Sequence, residues 1–522
     1  MQKFFNISGP CVSDKHYMLP ALVRLPDPIS LIEQEQYFVL HAARQTGKST
    51  AMIALAKLLR ERGYAAVYAS LEASQGFAAV EGAESLWLAA LSRRAGEQLP
   101  QLDVPSTQHV TRGTVGDRLR AWLTAFSQIA APMPAVVLFD EVDVIEGAPL
   151  ISLLRQLREG FTGRAPGVFP SSIALIGMRD LRDYLAYAKD GSPVNPGSPF
   201  NIKTASLTLR NFTGQEVADL YQQHTDETGQ RFTPEASARA YWWSQGQPFL
   251  VNALARICTQ QLLTDHTLPV TAFDIDRAKE ALIFARTTHL DSLAERLREA
   301  RVARIVEPVI TGDKPFSIPY DHDDFEYVVD LGLIVRGPQG AEPANPIYRE
   351  VLARQLSYNV QMATPAPWWR WQTEDGRLDF PALVDAFLDW WRENEAAIIT
   401  QGDRTYPEAM PHLTFMAFLQ RVVNGGGTVL REYAAGRGAV DLLITYGEDR
   451  FVVELKRVAA GVQGMDKAKD RGSQQLADYL DTLGEEEGWL IIFDQRTSST
   501  WDDRLWRENR IVDGRTIHLC GA

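Results

Sequence analysis

Residues 37–63, YFVLHAARQTGKSTAMIALAKLLRERG, constrain the fold more than any other stretch of the chain. The apolar run YFVLH reads as a short buried strand, and a turn of small and polar residues follows it. Beyond the turn, apolar residues recur at helical spacing until Gly63, which predicts an amphipathic helix. A strand that feeds a helix through so short a connection belongs to a sheet covered by helices. The turn also fits the phosphate-binding template GxxxxGK(S/T), with Ala42 in place of the first glycine. Gly47 lets backbone N–H groups close round phosphate oxygens, Lys48 reaches the β and γ oxygens, and Ser49 offers its hydroxyl to magnesium. Ala43, Arg44, Gln45 and Thr46 complete the cradle, and Thr50 follows Ser49. Alanine at position 42 is compatible with the template if its φ is negative.

Three further runs, AAVYASLE, PAVVLFDEVDVI and SSIALIGMRD, each read as a strand and alternate with helical stretches. That is the pattern of a parallel sheet buried on both faces. Asp140 ends the second run, where it can hold a magnesium-bound water, and Glu141 beside it can polarise an attacking water. Arg179, at the end of the third run, is placed to sense a γ-phosphate from the neighbouring strand. The expected ligands are ATP and Mg2+.

The chain has 522 residues, too many for one core, and its length predicts roughly three or four domains. Its composition is that of a soluble globular protein. Cys11, Cys258 and Cys520 lie far apart without CxxC spacing, which points to a reducing compartment and away from a disulfide framework or zinc knuckle. No apolar run approaches a signal peptide or a membrane span, so a cytoplasmic protein with no membrane partner is expected. The net charge of −13 gives no support to a nucleic-acid role, although local arginine-rich faces and bound metal can offset it.

HAARQTGKST, VVLFDEVD, GMRDLRDY and SQGQPFLVNALA together resemble the AAA-like ATPases related to the archaeal ATPase and STAND groups. GPCVSDKHYMLP is similar to that family's N-terminal segment, and the resemblance spans residues 1–355. It implies a P-loop ATPase core over 1–208, a helical lid over 209–289 and a small winged-helix-like domain over 290–360. Thr213 opens the lid as a helix N-cap, with Glu216 three residues later. Gly246-Gln247-Pro248 resembles the GxP motif through which the lid contacts nucleotide, Pro248 being the contact, and this implies a nucleotide-controlled switch. The winged helix stays open between DNA reading and intramolecular packing.

GRGAVDLLITYGEDRFVVELKR, from Gly436 to Arg457, sets Asp441, Glu454 and Lys456 in two apolar strand-like runs. Buried charges are costly unless paired or bound to metal. With a turn centred between Gly447 and Glu448, Asp441 lies opposite Glu454, and such partners have Cβ atoms about 4.5–5.5 Å apart. Alternation puts Lys456 on the same face as Glu454. Two carboxylates and a lysine on one face suit metal-assisted phosphodiester hydrolysis. Asp441, Glu454 and the carbonyl of Leu455 would hold Mg2+, or Mn2+, while Lys456 orients or deprotonates the attacking water.

This arrangement resembles the PD-(D/E)XK nuclease superfamily, with VD and ELK as its signature. PEAMPHLTFMAFLQRVVNGGG is similar to the superfamily's first core helix, and GSQQLADYLDTLG and GWLIIFD to a later helix and strand. The resemblance implies a nuclease-like domain over 368–522, after a Pro-rich linker near 360–367. It also implies an acid from the first helix, for which Glu408 is the candidate and Gln420 the alternative. Gln475 and Tyr479 either face the site or pack.

The expected architecture is α/β and multidomain: a P-loop parallel sheet with a helical lid, a small winged-helix-like domain and a restriction-endonuclease-like α/β domain. The expected function is ATP binding and hydrolysis that regulates or powers a nuclease, with DNA ahead of RNA as partner. Such a fusion resembles genome-defence or antiviral machinery. Two alternatives stay open: an ATP-switched signalling or scaffold protein with a non-catalytic nuclease-like domain, and a winged-helix DNA-binding regulator. Homo-oligomerisation also stays open. DHDD at 321–324 reads as a solvated turn before a helix, and ERLREARVAR at 295–304 as a solvated helix face. Trp368, Trp369, Trp371, Trp390 and Trp391 read as anchors of an amphipathic helix.

Overall fold

A computed structural model describes residues 2–522 apart from 107–112, 164–167, 179–204, 286–294, 298, 312–321, 338–339, 353–370, 372, 374, 401–410, 412–413, 417, 420–426, 436–437, 459–463, 495 and 497–498. Arg179, Glu408, Gln420, Trp368, Trp369 and the linker near 360–367 lie outside the described residues. The chain forms two compact units, Met1–Asp291 with Ile318–Ile347, and Ser292–Ser317 with Tyr348–Ala522. The stretch 290–360 is therefore divided between them.

The first unit is built on five parallel strands: β1 (Phe38–His41), β2 (Ala65–Ser70), β3 (Ala135–Asp140), β4 (Ser172–Gly177) and β5 (Ala205–Thr208). Their order is β2-β3-β4-β1-β5. Every residue of β3 and β4 is buried, which is why these runs are continuously apolar and do not alternate. Val136 and Leu138 pack with Met52 and Leu55 of α1 (Lys48–Glu61). Val137 and Phe139 pack on the opposite face with Trp87 of α2 (Val80–Gln98) and Trp122 of α3 (Arg118–Ala130). Burying each such side chain contributes roughly 1.5–3 kcal/mol, enough to hold a four-residue strand like β1 in register.

After β5 the chain turns helical, with α4 (Gly214–Thr228), α5 (Pro234–Ser244), α6 (Pro248–Ile257) and α7 (Ala272–Phe284). Thr213 and Glu216 form the expected capping box on α4. Gly246, at φ +71°, closes the turn between α5 and α6, and its carbonyl accepts from the Phe212 N–H at 2.9 Å. Further on, α8 (His322–Asp330) precedes a hairpin of β6 (Ile334–Gly337) and β7 (Gly340–Pro343). This corrects the reading of DHDD: His322, Asp323 and Asp324 form the first turn of α8, and Asp324 is buried. The apolar period of Phe325 and Val328 begins directly after it and draws that turn into the core.

The second unit carries a mixed six-stranded sheet in the order β12-β13-β11-β10-β9-β8. Helix α9 (Phe380–Thr400) precedes β8 (Gly427–Ala435), β9 (Gly438–Tyr446) and β10 (Asp449–Val458). Helix α10 (Met465–Leu483), β11 (Glu487–Asp494), β12 (Arg507–Val512) and β13 (Arg515–Gly521) follow. Leu476, Ala477 and Leu480 of α10 pack on Val452, Leu490 and Ile517 of the sheet. Trp391 is buried against Phe387 and Phe493, an anchor as expected. ERLREARVAR differs from a single helix face: a turn at Leu297 and a bend at Glu299 interrupt it, where Glu299 accepts from Arg296 and Arg301. Among the described residues no helix is long and apolar enough to cross a membrane.

Gly246 and Gly63 both have positive φ, but only Gly246 is crowded. A Cβ there would lie 1.9 Å from the Phe212 carbonyl oxygen, whereas among the described residues nothing beyond the chain neighbours lies within 4 Å of one at Gly63. Gly63→Ala is expected to cost about 1–2 kcal/mol from the left-handed backbone alone. Gly246→Ala adds an overpacking cost of about 1–3 kcal/mol. Urea unfolding of the two variants, followed at the transition of the first unit, should rank them in that order. Equal midpoints would contradict the close approach at Phe212.

Candidate functional site

The phosphate loop lies at the carboxyl end of β1. Gly47 caps α1 at φ +92°, a conformation that a side chain would strain. Lys48 is buried, and its Nζ donates to the carbonyls of Ala42 at 2.7 Å and Ala43 at 2.9 Å. Burial presses its pKa down, while Asp143, Glu141 and Asp140 oppose the shift. Thr46 Oγ1 donates to the Ala43 carbonyl at 2.9 Å, so Ala43 and Thr46 serve the loop's internal bonding.

Asp140 ends β3, between β2 and β4, and is almost fully buried. Its Oδ2 accepts from Ser49 Oγ at 2.7 Å and from the Tyr68 hydroxyl at 2.5 Å, while its Oδ1 accepts the Glu141 N–H at 2.9 Å. Glu141 sits in the left-handed region at φ 56°, a strained conformation for a side-chain-bearing residue. Burial, with Asp143 and Asp140 nearby, pushes its carboxyl up to about 7. Hydroxyl and carboxylate oxygens are hard donors of the kind Mg2+ takes.

A pocket of about 420 Å³ opens beside these groups, lined by Arg44, Gln45, Gly47, Lys48, Ser49 and Thr50 of the loop and by Glu141. Pro248 lines it from the start of α6. Gln247 Nε2 donates to the Arg44 carbonyl at 3.4 Å, which joins the two segments. Sequence reasoning missed Tyr68, Phe249 and Asn252, and assigned no contacts to Asn6–Cys11. The Cys11 N–H donates to Thr50 Oγ1 at 3.0 Å and holds that N-terminal segment against α1. No local pattern marks Tyr68; only the parallel pairing of β2 with β3, with Ser70 opposite Asp140, brings it to the carboxylate.

In the second unit the β9–β10 ladder runs from Tyr446 opposite Asp449 to Leu442 opposite Val453. Continued one step past its last pair, that register would set Asp441 against Glu454. Asp441 Oδ2 accepts from the Leu455 N–H at 2.8 Å. A strand residue turns its N–H and C=O to the same side, so the Leu455 carbonyl also faces β9. Glu454 is 1 % exposed, and its Oε1 accepts from Lys456 Nζ at 2.5 Å. Its Oε2 is buried and has no hydrogen-bond partner among the described residues. Burial, then the Asp441 charge, raises the Glu454 carboxyl to about 7 against the opposing pull of Lys456.

A buried oxygen without a partner, beside a second carboxylate, fits a cation taken through oxygen donors. Among the described residues no group of three or more His, Cys, Asp or Glu side chains is gathered to hold a metal. The oxygens that could serve as donors here are those of Asp441, Glu454 and the Leu455 carbonyl. Gln475 donates to the Tyr479 hydroxyl at 3.0 Å, and Tyr479 belongs to the core under α10, so packing accounts for this pair.

No family model and no curated protein matches the chain. Among solved structures, a Walker-type ATPase of Pyrococcus abyssi matches with a TM-score of 0.50 at 14% identity, over 67% of this chain and 99% of that one. The RuvB Holliday junction branch migration motor of Thermotoga maritima matches at 0.32 and 12% identity, over 66% and 93%. AMPPCP-bound DnaA from Aquifex aeolicus matches at 0.32 and 11% identity, over 65% and 78%. The first likeness shows that the chain contains a P-loop ATPase fold, to which the five-stranded sheet and its loop correspond. The six-stranded sheet of the second unit is separate from it, and these structures give it no nuclease identity.

A carboxyl raised toward 7 favours the folded state below its ordinary value of 4.5, and that contribution is lost as pH climbs to about 7. Glu454→Gln keeps the neutral form at every pH. It should therefore stabilise the metal-free second unit at pH 8, on the order of 2–3 kcal/mol, and change little at pH 5. Thermal unfolding at the two pH values tests this; a destabilised variant at pH 8 would mean that Glu454 is held by attraction and not by burial.

Proposed function

We propose that the first unit binds and hydrolyses ATP with Mg2+, and that nucleotide turnover regulates or powers phosphodiester cleavage by the second. The observation that carries the ATPase half is that Asp140 bonds both Ser49 and Glu141, which line one pocket with Lys48. Lys48 would leave the Ala42 and Ala43 carbonyls for phosphate oxygens, which bond a cation more strongly. Ser49 and Asp140 would hold Mg2+, and Glu141 in its ionised form would orient and deprotonate the attacking water. Arg179 would sense the γ-phosphate, and Pro248 would report nucleotide to the lid. The helix α8 with hairpin β6–β7 supports a small winged-helix-like module in this region.

Lys48→Ala is expected to abolish ATP binding. Glu141→Gln should keep binding and lose hydrolysis by about 100-fold or more. Wild-type turnover should rise with pH through about 7, as Glu141 ionises. Turnover that is flat from pH 5.5 to 8.5, or unaffected in Glu141→Gln, would remove Glu141 from the reaction.

The observation behind the nuclease half is the unpartnered, buried Glu454 Oε2 in a strand pair that also holds Asp441 and Lys456. Asp441, Glu454 and the Leu455 carbonyl would hold Mg2+ or Mn2+, with Glu408 the candidate for an added acid. A bound ion would polarise the phosphodiester and lower the pKa of its water. Lys456, kept on the carboxylate face by Glu454, would offset phosphate charge and orient that water. DNA is the proposed substrate, ahead of RNA.

Linear duplex, supercoiled plasmid, single-stranded DNA and RNA should be incubated with Mg2+ or Mn2+, with and without ATP. Cleavage is expected in the wild type and about 100-fold or more weaker in Lys456→Ala. Independently of activity, Mg2+ should raise the melting temperature of the second unit in the wild type and not in Glu454→Gln. A wild type that hydrolyses ATP but cuts nothing and ignores Mg2+ would favour an ATP-switched nucleic-acid-binding module.

A further inference from the structure

Asn252 lies on α6, four residues after Pro248, and lines the same pocket as the phosphate loop. The residue is 7 % exposed. Its Nδ2 donates to the Pro248 carbonyl at 2.7 Å, one turn back along the helix. Its Oδ1 is shielded from solvent and has no hydrogen-bond partner among the described residues. Turning the amide over gives no relief, because Oδ1 would then meet the Pro248 carbonyl oxygen, acceptor against acceptor. The group left unmatched is therefore an acceptor, and a donor must come from elsewhere.

Leaving a buried polar atom unpaired is destabilising. Helix α6 gains nothing from a polar residue here: Leu250, Val251, Ala253 and Leu254 are all buried and apolar, and Gln247 already caps its first turn. The pocket combines two kinds of wall. Gly47, Lys48 and Ser49 offer the loop that takes phosphates, while Ile7, Pro10, Pro248 and Phe249 offer apolar surface suited to a flat heterocycle. A ligand that fills both brings its own donors to Asn252, whose side chain must turn to present the enclosed Oδ1 to the pocket.

We infer that Asn252 selects the base. Its Oδ1 accepts a hydrogen bond from the exocyclic 6-amino group of adenine and opposes the 6-oxo group that guanine and hypoxanthine carry at that position. The inference rests on the reading of this pocket as a nucleotide site. Asn252, Phe249 and Pro248 belong to α6, whereas Lys48 and Ser49 belong to α1, so the base contact also ties the helical module to the loop through the nucleotide.

The test is calorimetric binding of the magnesium complexes of ATP, ITP, N6,N6-dimethyl-ATP and 2′-deoxy-ATP to the full chain, wild type and Asn252→Leu. The wild type should bind ATP at least about tenfold more tightly than ITP or the dimethyl analogue. In Asn252→Leu the ATP-to-ITP ratio should approach one, with 2′-deoxy-ATP following ATP in both proteins. A wild type that binds the dimethyl analogue as tightly as ATP overturns the inference without need of a variant. So does an ATP-to-ITP ratio that survives in Asn252→Leu. If the variant instead loses discrimination against 2′-deoxy-ATP, Oδ1 serves a ribose hydroxyl and the base assignment falls. If the wild type binds none of the four, the nucleotide reading itself fails, a result distinct from intact ATP binding without base selection.

Discussion

The carboxylate of Asp140 is the point on which the first unit's site depends. It receives the hydroxyl of Ser49 from α1 and that of Tyr68 from β2, and its own strand is buried throughout. Three elements are thereby fastened at one oxygen pair. Moving any of them would leave a buried, charged acceptor short of donors, and unsatisfied charge in an interior is among the costliest defects a fold can carry. The same bond sets the spacing between Ser49 and Glu141, because Oδ1 of Asp140 also takes the Glu141 N–H. The strained backbone at Glu141 is sustained by that contact and by the buried strand β3 that precedes it.

The second unit uses burial in the opposite sense. Asp441 and Glu454 stand in strands whose neighbours are apolar, and Lys456 and the Leu455 N–H are among the groups that offset them. Helix α10 lies over the same face, and Gly472 is part of the reason it can come so close. A Cβ there would lie 3.3 Å from Lys456 Cγ and 2.9 Å from the Leu490 methyl carbons. The result is an electrostatically incomplete site, with one carboxylate oxygen unmatched and a carboxyl group held toward neutrality. In both units a glutamate of shifted pKa lies where a second carboxylate and a lysine act on it in opposite directions. Burial and like charge raise the value, and the lysine limits the rise.

Much of this was legible in the residues. YFVLH before GKST, AVVLFDE and the capping pair Thr213 and Glu216 are local signals, and each rests on contacts between residues close in sequence. The hairpin register was also legible, because a two-residue turn fixes the pairing of both strands. Tyr68, Asn252 and the segment Asn6–Cys11 were not. Tyr68 meets Asp140 through parallel pairing across 72 residues, and Asn252 reaches the pocket only because α6 packs near the loop. DHDD misled for a related reason: its polarity suggested solvent, but the helix that follows carries Asp324 inward.

By itself the sequence determined strands β1 to β4 and the helix after the phosphate loop, where that loop lies, and the pairing of residues across the β9–β10 turn. These depend on backbone conformation and periodicity, which act over a few residues. The tertiary structure alone decided the strand order β2-β3-β4-β1-β5, the union of Ser49 and Tyr68 on one carboxylate, the pocket shared by α6 and the N-terminal segment, and the unmatched oxygens of Glu454 and Asn252. Whether a polar atom is satisfied depends on everything that surrounds it, and those surroundings are assembled from residues hundreds of positions apart.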